Sequence, residues 1–304
     1  MNRDFSRREF LRRAALLGAA VGTCELSDLS GFSVDAAAGP TIAVATKRDP
    51  SGLVRAAVDT LGGMGKFVDK GDVVLVKPNL GWARKPDQAA TTNPEVVAEV
   101  VRLCRSAGAS EVKVMDHAVD RPDSLLLRMT GVEDAAKAAG ARVGLASSSA
   151  MYERVKLPKG RVLKSVDVLR DLLRADVFIN VPIAKVHNST GLTLSIKNLL
   201  GTVWDRGAFH RSRSLDQAIA DCATEVKPHL VILDAVRILL TNGPKGPGKT
   251  AMKSTVVAGT DPLAVDAYGA TLFGANASDV GHLKRSYEAG IGEIDLSRIK
   301  VKHV

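Results

Sequence analysis

The chain has 304 residues, 45% of them hydrophobic, which is enough apolar material to bury a large core and excludes a disordered or low-complexity polypeptide. Its 42 Lys and Arg outnumber 33 Asp and Glu, a formal charge of +9 that favours an anionic ligand, an acidic partner or attraction to a membrane surface. Nucleic acid is argued against separately, because aromatics are only 4% and no nucleic-acid-binding motif is present.

Residues 1–38 form an address. Ser6-Arg7-Arg8-Glu9-Phe10-Leu11 resembles the twin-arginine export signature, an apolar run follows from Ala14 to Gly22, and Ala36-Ala37-Ala38 is a small-residue cleavage site. The run is far shorter than the roughly 20 residues needed to cross a bilayer, so no transmembrane segment is expected. A basic amphipathic helix kept in the mature protein is the alternative, and lipidation at Cys24 is a variant, with Thr23 where a lipobox prefers a smaller residue. The expectation is a signal peptide over 1–38, passage through the twin-arginine translocase, and a periplasmic or other extracytoplasmic location. That route carries folded proteins, which hints at a cofactor or partner. The cofactor is unknown: Cys104 and Cys222 stand alone, no CxxC pair exists, and an iron–sulfur or zinc site held by this chain alone is not expected. Those two cysteines fall on apolar helix faces as buried thiols, with a disulfide between them the alternative.

From residue 39 onward strands alternate with helices. Thr41–Thr46 is a strand and Leu53–Leu61 a helix; Val73–Val76 is an all-apolar strand meeting Lys77-Pro78-Asn79. Asn93 caps a helix with Pro94 at its first position, and Val97, Val100, Val101 and Cys104 share its inner face. A strand at Val112–Met115 exits into Asp116-His117, a helix covers Val132–Ala139, and a strand covers Arg142–Leu145. Tyr152–Val166, with Pro158-Lys159-Gly160 at its middle, is a hairpin insertion or flap. Val168–Leu173 is a short helix feeding the buried strand around Val177–Val181, which Pro182 closes. Then come a basic loop (Arg206, His210, Arg211, Arg213), a helix Leu215–Val226, a strand Leu230–Leu233 ending in Asp234, a strand Thr255–Ala258, a helix opening at Asp261-Pro262, a helix near His282–Ala289 and a last strand at Ile299–Val301. This rhythm predicts one α/β domain over 39–304, with a mainly parallel sheet flanked by helices and a small hairpin insertion.

Residues that bind or move charge concentrate after the central strand: Lys185, His187, Asn188, Ser189, Thr190, Thr193, Ser195, Lys197 and Asn198. Ligands of open α/β sheets sit beyond the carboxyl ends of strands, so Lys77 and Asn79, Asp116 and His117, Lys185 and His187, and Asp234 are expected to converge. Lys77, Asn79, Lys197, Asn198 and Arg211 are the expected substrate-binding residues, and His187, Lys185 and Asp266 the expected catalytic ones. A ring of lysines would keep His187 neutral and able to take a proton. Lys197 lies among apolar residues and would be costly to bury unpaired. Asp261 is a helix N-cap, whereas Asp266, on the buried side, could pair with a lysine or bind a metal. Gly243-Pro244-Lys245-Gly246-Pro247-Gly248-Lys249-Thr250 spells a phosphate loop, but its prolines lack the N–H groups that cradle phosphate and a strand follows it, so a basic loop over the pocket is expected instead.

Five stretches in order, Val73-Val74-Leu75-Val76-Lys77-Pro78-Asn79, Thr92-Asn93-Pro94, Pro182-Ile183-Ala184-Lys185-Val186-His187, Leu194-Ser195-Ile196-Lys197-Asn198-Leu199-Leu200-Gly201 and Asp261-Pro262-Leu263-Ala264-Val265-Asp266-Ala267, resemble domain of unknown function family 362 over about residues 40 to 290. Some relatives carry ferredoxin-like cysteine segments, which implies an iron–sulfur or other redox protein as a partner; this chain lacks those segments. Two classes of function stand: an exported enzyme acting on a small anionic substrate, or a noncatalytic ligand-binding or maturation protein that serves redox partners. The paired His and Asp groups beside the cations favour the enzyme.

Overall fold

Strands whose two faces are both apolar must be covered on both sides, and the chain supplies helices for each face. The computed structural model describes residues 39–120 and 124–304. The export segment, with Arg7, Arg8 and Cys24, lies outside the described residues.

In chain order the elements are β1 (Thr41–Thr46), α1 (Pro50–Thr60), β2 (Val73–Pro78), α2 (Pro94–Ser106), β3 (Glu111–Asp116), α3 (Ser124–Thr130), α4 (Val132–Ala138) and β4 (Arg142–Leu145). A hairpin follows, β5 (Tyr152–Lys156) and β6 (Ser165–Leu169), then α5 (Arg170–Arg174) and β7 (Val177–Val181). After it come β8 (Ile183–His187), β9 (Gly191–Thr193), α6 (Ser195–Asn198), α7 (Arg206–Arg211) and α8 (Leu215–Ala223). The chain closes with β10 (Leu230–Leu239), β11 (Thr250–Gly259), α9 (Pro262–Thr271), α10 (Gly281–Glu288) and β12 (Lys300–His303).

The main sheet runs β12-β1-β11-β10-β7-β2-β3-β4, with β8 and β9 attached through β10. Pairing is parallel from β10 through β7, β2 and β3 to β4, and antiparallel where β11 meets β1 and β10. The sheet is therefore mixed but mostly parallel. β5 and β6 form their own antiparallel pair, the hairpin expected at Pro158-Lys159-Gly160.

Alternation sorts the side chains to two cores. Val74, Val76, Val177 and Ile179 pack with α1 and α2 through Leu53, Val54, Val97 and Val101, while Leu75, Phe178, Val231 and Leu233 pack on the other face with α8 and α9 through Ile219, Cys222, Leu263 and Ala267. Cys104 and Cys222 are buried free thiols in opposite cores. Caps set the helix starts: Asn93 accepts from Glu95 N (2.9 Å), and Asp261 accepts from Leu263 N (2.9 Å) and Ala264 N (3.0 Å).

Pro182 closes the central strand as expected: β7 stops at Val181, and after the proline, which lacks an N–H, the chain resumes as β8 against β10, with Ile183 opposite Asp234. One expectation changes. The segment after Val168 stays extended to Leu169 before its helical turn, because Tyr152–Lys156 offers it a full antiparallel partner.

Candidate functional site

The topology itself marks a place. From β2 the chain steps to β3 and β4 on one side, then returns to lay β7 on the other side of β2 and β10 beyond it. The β2/β7 boundary is thus the switch point where strand order reverses, the position at which open α/β sheets form a crevice. Lys77 and Asn79 leave β2 there, and Asp116 and His117 leave the neighbouring β3. Across the crevice stand Lys185 and His187 on β8. Thr92 laces the two sides: its Oγ accepts from Asn79 N (2.8 Å) and donates to Val181 O (2.8 Å).

Lys77 shares the sheet face of Leu75 and is buried. Its ammonium has three acceptors, Asp116 Oδ1 (2.8 Å), Pro78 O (2.7 Å) and Asn198 Oδ1 (3.2 Å), so all three N–H groups are used. Burial lowers its pKa and Asp116 opposes that shift. Asp116 is held in turn by Leu80 N (2.6 Å) and His117 N (2.9 Å). Asn198 is fully committed: Oδ1 also accepts from Asn79 Nδ2 (2.9 Å), and Nδ2 donates to Asn180 Oδ1 (2.8 Å). Asn79 passes the chain on, its Oδ1 accepting from Lys185 Nζ (3.0 Å). Lys185 also donates to Ala90 O, which leaves one of its three positions unused. Burial, opposed by Asp116 and aided by Lys197 and Lys77, brings its pKa down to about 7.

A cavity of about 460 Å³ opens above this network, within the range that holds a small ligand. Lys77, Asn79, Lys185, His187, Lys197 and Asn198 all line it, and so do Asp116, His117, Thr193, Arg206 and His210. The lining carries four Lys or Arg against one carboxylate. Lys197 makes no hydrogen bond or ion pair among the described residues, and burial, with Arg206 adding to it, lowers its pKa to about 8. The Thr193 hydroxyl is buried without a partner.

The two histidines present opposite faces. His187 Nδ1 accepts from Ser189 N (3.1 Å), so in the neutral ring the proton sits on Nε2. Burial and then Lys197 and Lys185 push its pKa down to about 3, so the ring is neutral at pH 7. His117 is the reverse: its Nδ1 lies 2.8 Å from Val203 O, which can only accept, so Nδ1 carries the proton and Nε2 has a free lone pair. Its ring stacks on Trp204 at 5.1 Å, and burial lowers its pKa. His117 therefore offers a proton acceptor, and His187 a donor rather than the expected acceptor.

Three expected site residues lie elsewhere. Asp266 is fully buried under α6, where its oxygens accept from Ser195 N (2.6 Å) and Ile196 N (2.8 Å), satisfying the first amides of the turn that carries Lys197 and Asn198; burial raises its pKa to about 8 against those donors. It positions the site from behind. Asp234 similarly binds Asn93 N (2.7 Å) and Val236 N (3.0 Å). Arg211 is exposed and paired to Asp205 (2.7 Å). Its place is taken by Arg206, which donates to His117 O (2.9 Å) and Ala118 O (2.7 Å). The i, i+4 spacing puts Arg206 and His210 on one face of α7 and Arg211 off it, a signal readable once the loop is recognised as helical.

The phosphate-loop lettering has no phosphate-loop fold: residues 243–249 lead into β11, not a helix. Pro244 nevertheless lines the cavity, and Lys245 Nζ stands 5.7 Å from the Trp82 ring centroid. Among the described residues no group of three or more His, Cys, Asp or Glu converges as a metal site, and no helix is long and apolar enough to cross a membrane.

A thylakoid-associated protein of Synechocystis sp. is 29% identical to this chain, covering 63% of the chain and 60% of that protein. The chain thus spans less than two thirds of that relative's length. Among solved structures, the lactate racemase apoprotein of Thermoanaerobacterium thermosaccharolyticum superposes with a TM-score of 0.49 at 13% identity, over 78% of this chain and 57% of that one. A Thermotoga maritima protein gives 0.47 at 11%, over 75% and 60%. The model of domain of unknown function family DUF362 matches residues 74–271, nearly two thirds of the sequence and every element that lines the cavity, and the chain belongs to that family.

Proposed function

We propose that the protein is an enzyme acting on a small anionic substrate held in the cavity at the β2/β7 switch point. One observation carries this reading: Lys77, Lys185, Lys197 and Arg206, drawn from four separate segments, line a single cavity with only Asp116 to balance them. A site built this way attracts an anion and excludes cations. Lys185, with a position unused, and Arg206 are the groups to grip a carboxylate or phosphate. His117 Nε2 is poised to take a proton, and His187 Nε2–H to donate one to oxygen where negative charge develops. Asn79 and Asn198 hold the lysines in place. The proposal includes export, on the strength of Arg7-Arg8 and the apolar run after them.

The test is a thermal-shift screen of small carboxylates and phosphates. A ligand at a hundred times its Kd stabilises by about 2.7 kcal/mol, an easily measured shift. The expected result is a stabilising anion whose effect is lost in Lys185→Met. No stabilisation by any anion at millimolar concentration would refute the reading and leave protein docking through the basic surface as its successor.

A further inference from the structure

The three lysines of the cavity are in different chemical situations. Lys77 has an acceptor for each N–H, and Lys185 has two acceptors. Lys197 has none among the described residues, although its neighbours Ile196, Asn198, Leu199 and Leu200 are buried and its own amine faces the cavity. An ammonium in that position is half-shielded from water and has Asp216 as a counter-charge without an ion pair to it, whereas a neutral amine needs neither. Thr193 lines the same cavity, and its buried hydroxyl is a second polar group with no partner among the described residues.

We propose that Lys197 is a covalent nucleophile whose amine condenses with the carbonyl carbon of an anionic ketone or aldehyde, such as a 2-oxo acid or a phosphorylated ketose, to form an imine. The inference rests on the anion-site reading above and names its substrate class. The Lys197 lone pair attacks the carbonyl carbon, a C–N bond forms, and the carbonyl electron pair moves to oxygen, where the hydrogen bond from neutral His187 Nε2–H stabilises the developing charge. His117 Nε2 takes one proton from the nitrogen and delivers it to that oxygen, then carries the second amine proton to the same oxygen as the nitrogen lone pair forms C=N and expels water, so both amine protons leave in the water and both histidines end neutral. Amine plus carbonyl yields imine plus water; nothing is oxidised or reduced. Arg206 and Lys185 meanwhile hold the anionic group, which fixes the carbonyl near the amine. The lowering of the Lys197 pKa to about 8 by burial supports this: at pH 8 roughly a hundredfold more of it is free amine than for an ordinary lysine.

The protein is incubated with pyruvate, 2-oxoglutarate or dihydroxyacetone phosphate in the presence of sodium cyanoborohydride, and peptides are mapped by mass spectrometry. The expected result is one secondary-amine adduct per chain, on Lys197, from at least one of the three. Lys197→Arg should abolish it while keeping the charge, and should still show the thermal shift given by the matching carbonyl-free anion, propionate, glutarate or glycerol 3-phosphate. Stabilisation by these anions without an adduct, or adducts spread over surface lysines at equal rates, would overturn the covalent role and leave the anion site standing. No stabilisation by anions of either kind would overturn both.

Discussion

Gly201 is the tightest packing point of the site, and Gly201→Ala measures how much the buried ion pair matters. A Cβ there would fall 2.1 Å from Asp116 Oδ1 and 2.6 Å from both Cε and Nζ of Lys77. Ordinary contacts begin beyond 3 Å, so those atoms must retreat by about 1 Å, in a core that resists even one added methyl. Neither partner can yield cheaply. Asp116 is pinned by Leu80 N and His117 N, and Lys77 by Pro78 O and Asn198. Overpacking costs about 1–3 kcal/mol, and separating a buried pair about 3–5 kcal/mol, so a loss of about 3 kcal/mol is expected. At roughly 2–4 °C per kcal/mol for a domain of this size, the Tm should fall by about 6–12 °C. Calorimetry or urea unfolding of the protein reads this directly. Gly65→Ala is the control, since a Cβ there meets nothing within 4 Å. If Gly201→Ala unfolds within about 0.5 kcal/mol of wild type, as a neutral surface change would, the packing argument is wrong.

Asp266→Ala should destabilise by about 1–3 kcal/mol per orphaned amide of Ser195 and Ile196 and weaken anion binding by loosening the turn that carries Lys197; unchanged urea midpoint and affinity would contradict its positioning role. Lys185 and Lys197, lowered to about 7 and about 8, are depressed below their unfolded value, so between about pH 7 and 10 the unfolded chain holds protons the folded one does not, and stability of the empty protein should rise with pH across that window. Anion affinity should run the other way, weakening as pH climbs through 7 to 8 with up to about tenfold per unit for one linked proton; a titration series with a flat Kd would count against the lysines as anion holders. Replacing Arg7 and Arg8 together by Lys should leave the protein in the cytoplasm, and normal export of that variant, read by cell fractionation, would remove the export reading.

The motifs were legible because each one meets a local need. Asn93 before Pro94 announces a capped helix, and the near-continuous apolar runs of Val73–Val76 and Val177–Val181 announce strands covered on both faces. The ends of those strands put Lys77, Asn79, Asp116 and Lys185 at one crevice by topology alone. What stayed hidden depends on partners distant in the chain. Asp266 looked available because nothing near it in sequence shows that the Ser195 and Ile196 amides, about seventy residues earlier, occupy both its oxygens. The tautomers of His117 and His187 are set by Val203 O and Ser189 N, contacts of loops whose path no periodicity encodes. Arg211 and Arg206 are indistinguishable in a basic loop, which has no facing, whereas one short helix separates them.

The protein must fold with this crowd of cations before any ligand arrives. Two buried ammonium groups, Lys77 and Lys185, and two half-buried cations, Lys197 and Arg206, around one carboxylate would be costly if all were charged, since each uncompensated buried charge costs several kcal/mol. The network removes the difficulty one group at a time. Burial lowers the Lys77 pKa, and Asp116 opposes that shift while two neutral oxygens take up the remaining N–H groups. Arg206 donates to two backbone carbonyls. Lys185 and Lys197, the two with unfilled positions, are brought down to about 7 and about 8. An arriving anion supplies the missing counter-charge, so a proton taken up by Lys185 accompanies binding and is given back on release. Anion binding measured in two buffers of different ionisation enthalpy should therefore show proton uptake near pH 8, a fraction of one proton per anion. Binding with no buffer dependence in the wild type would mean that the lysines are already charged in the empty site, and the account of how the fold tolerates them would fail.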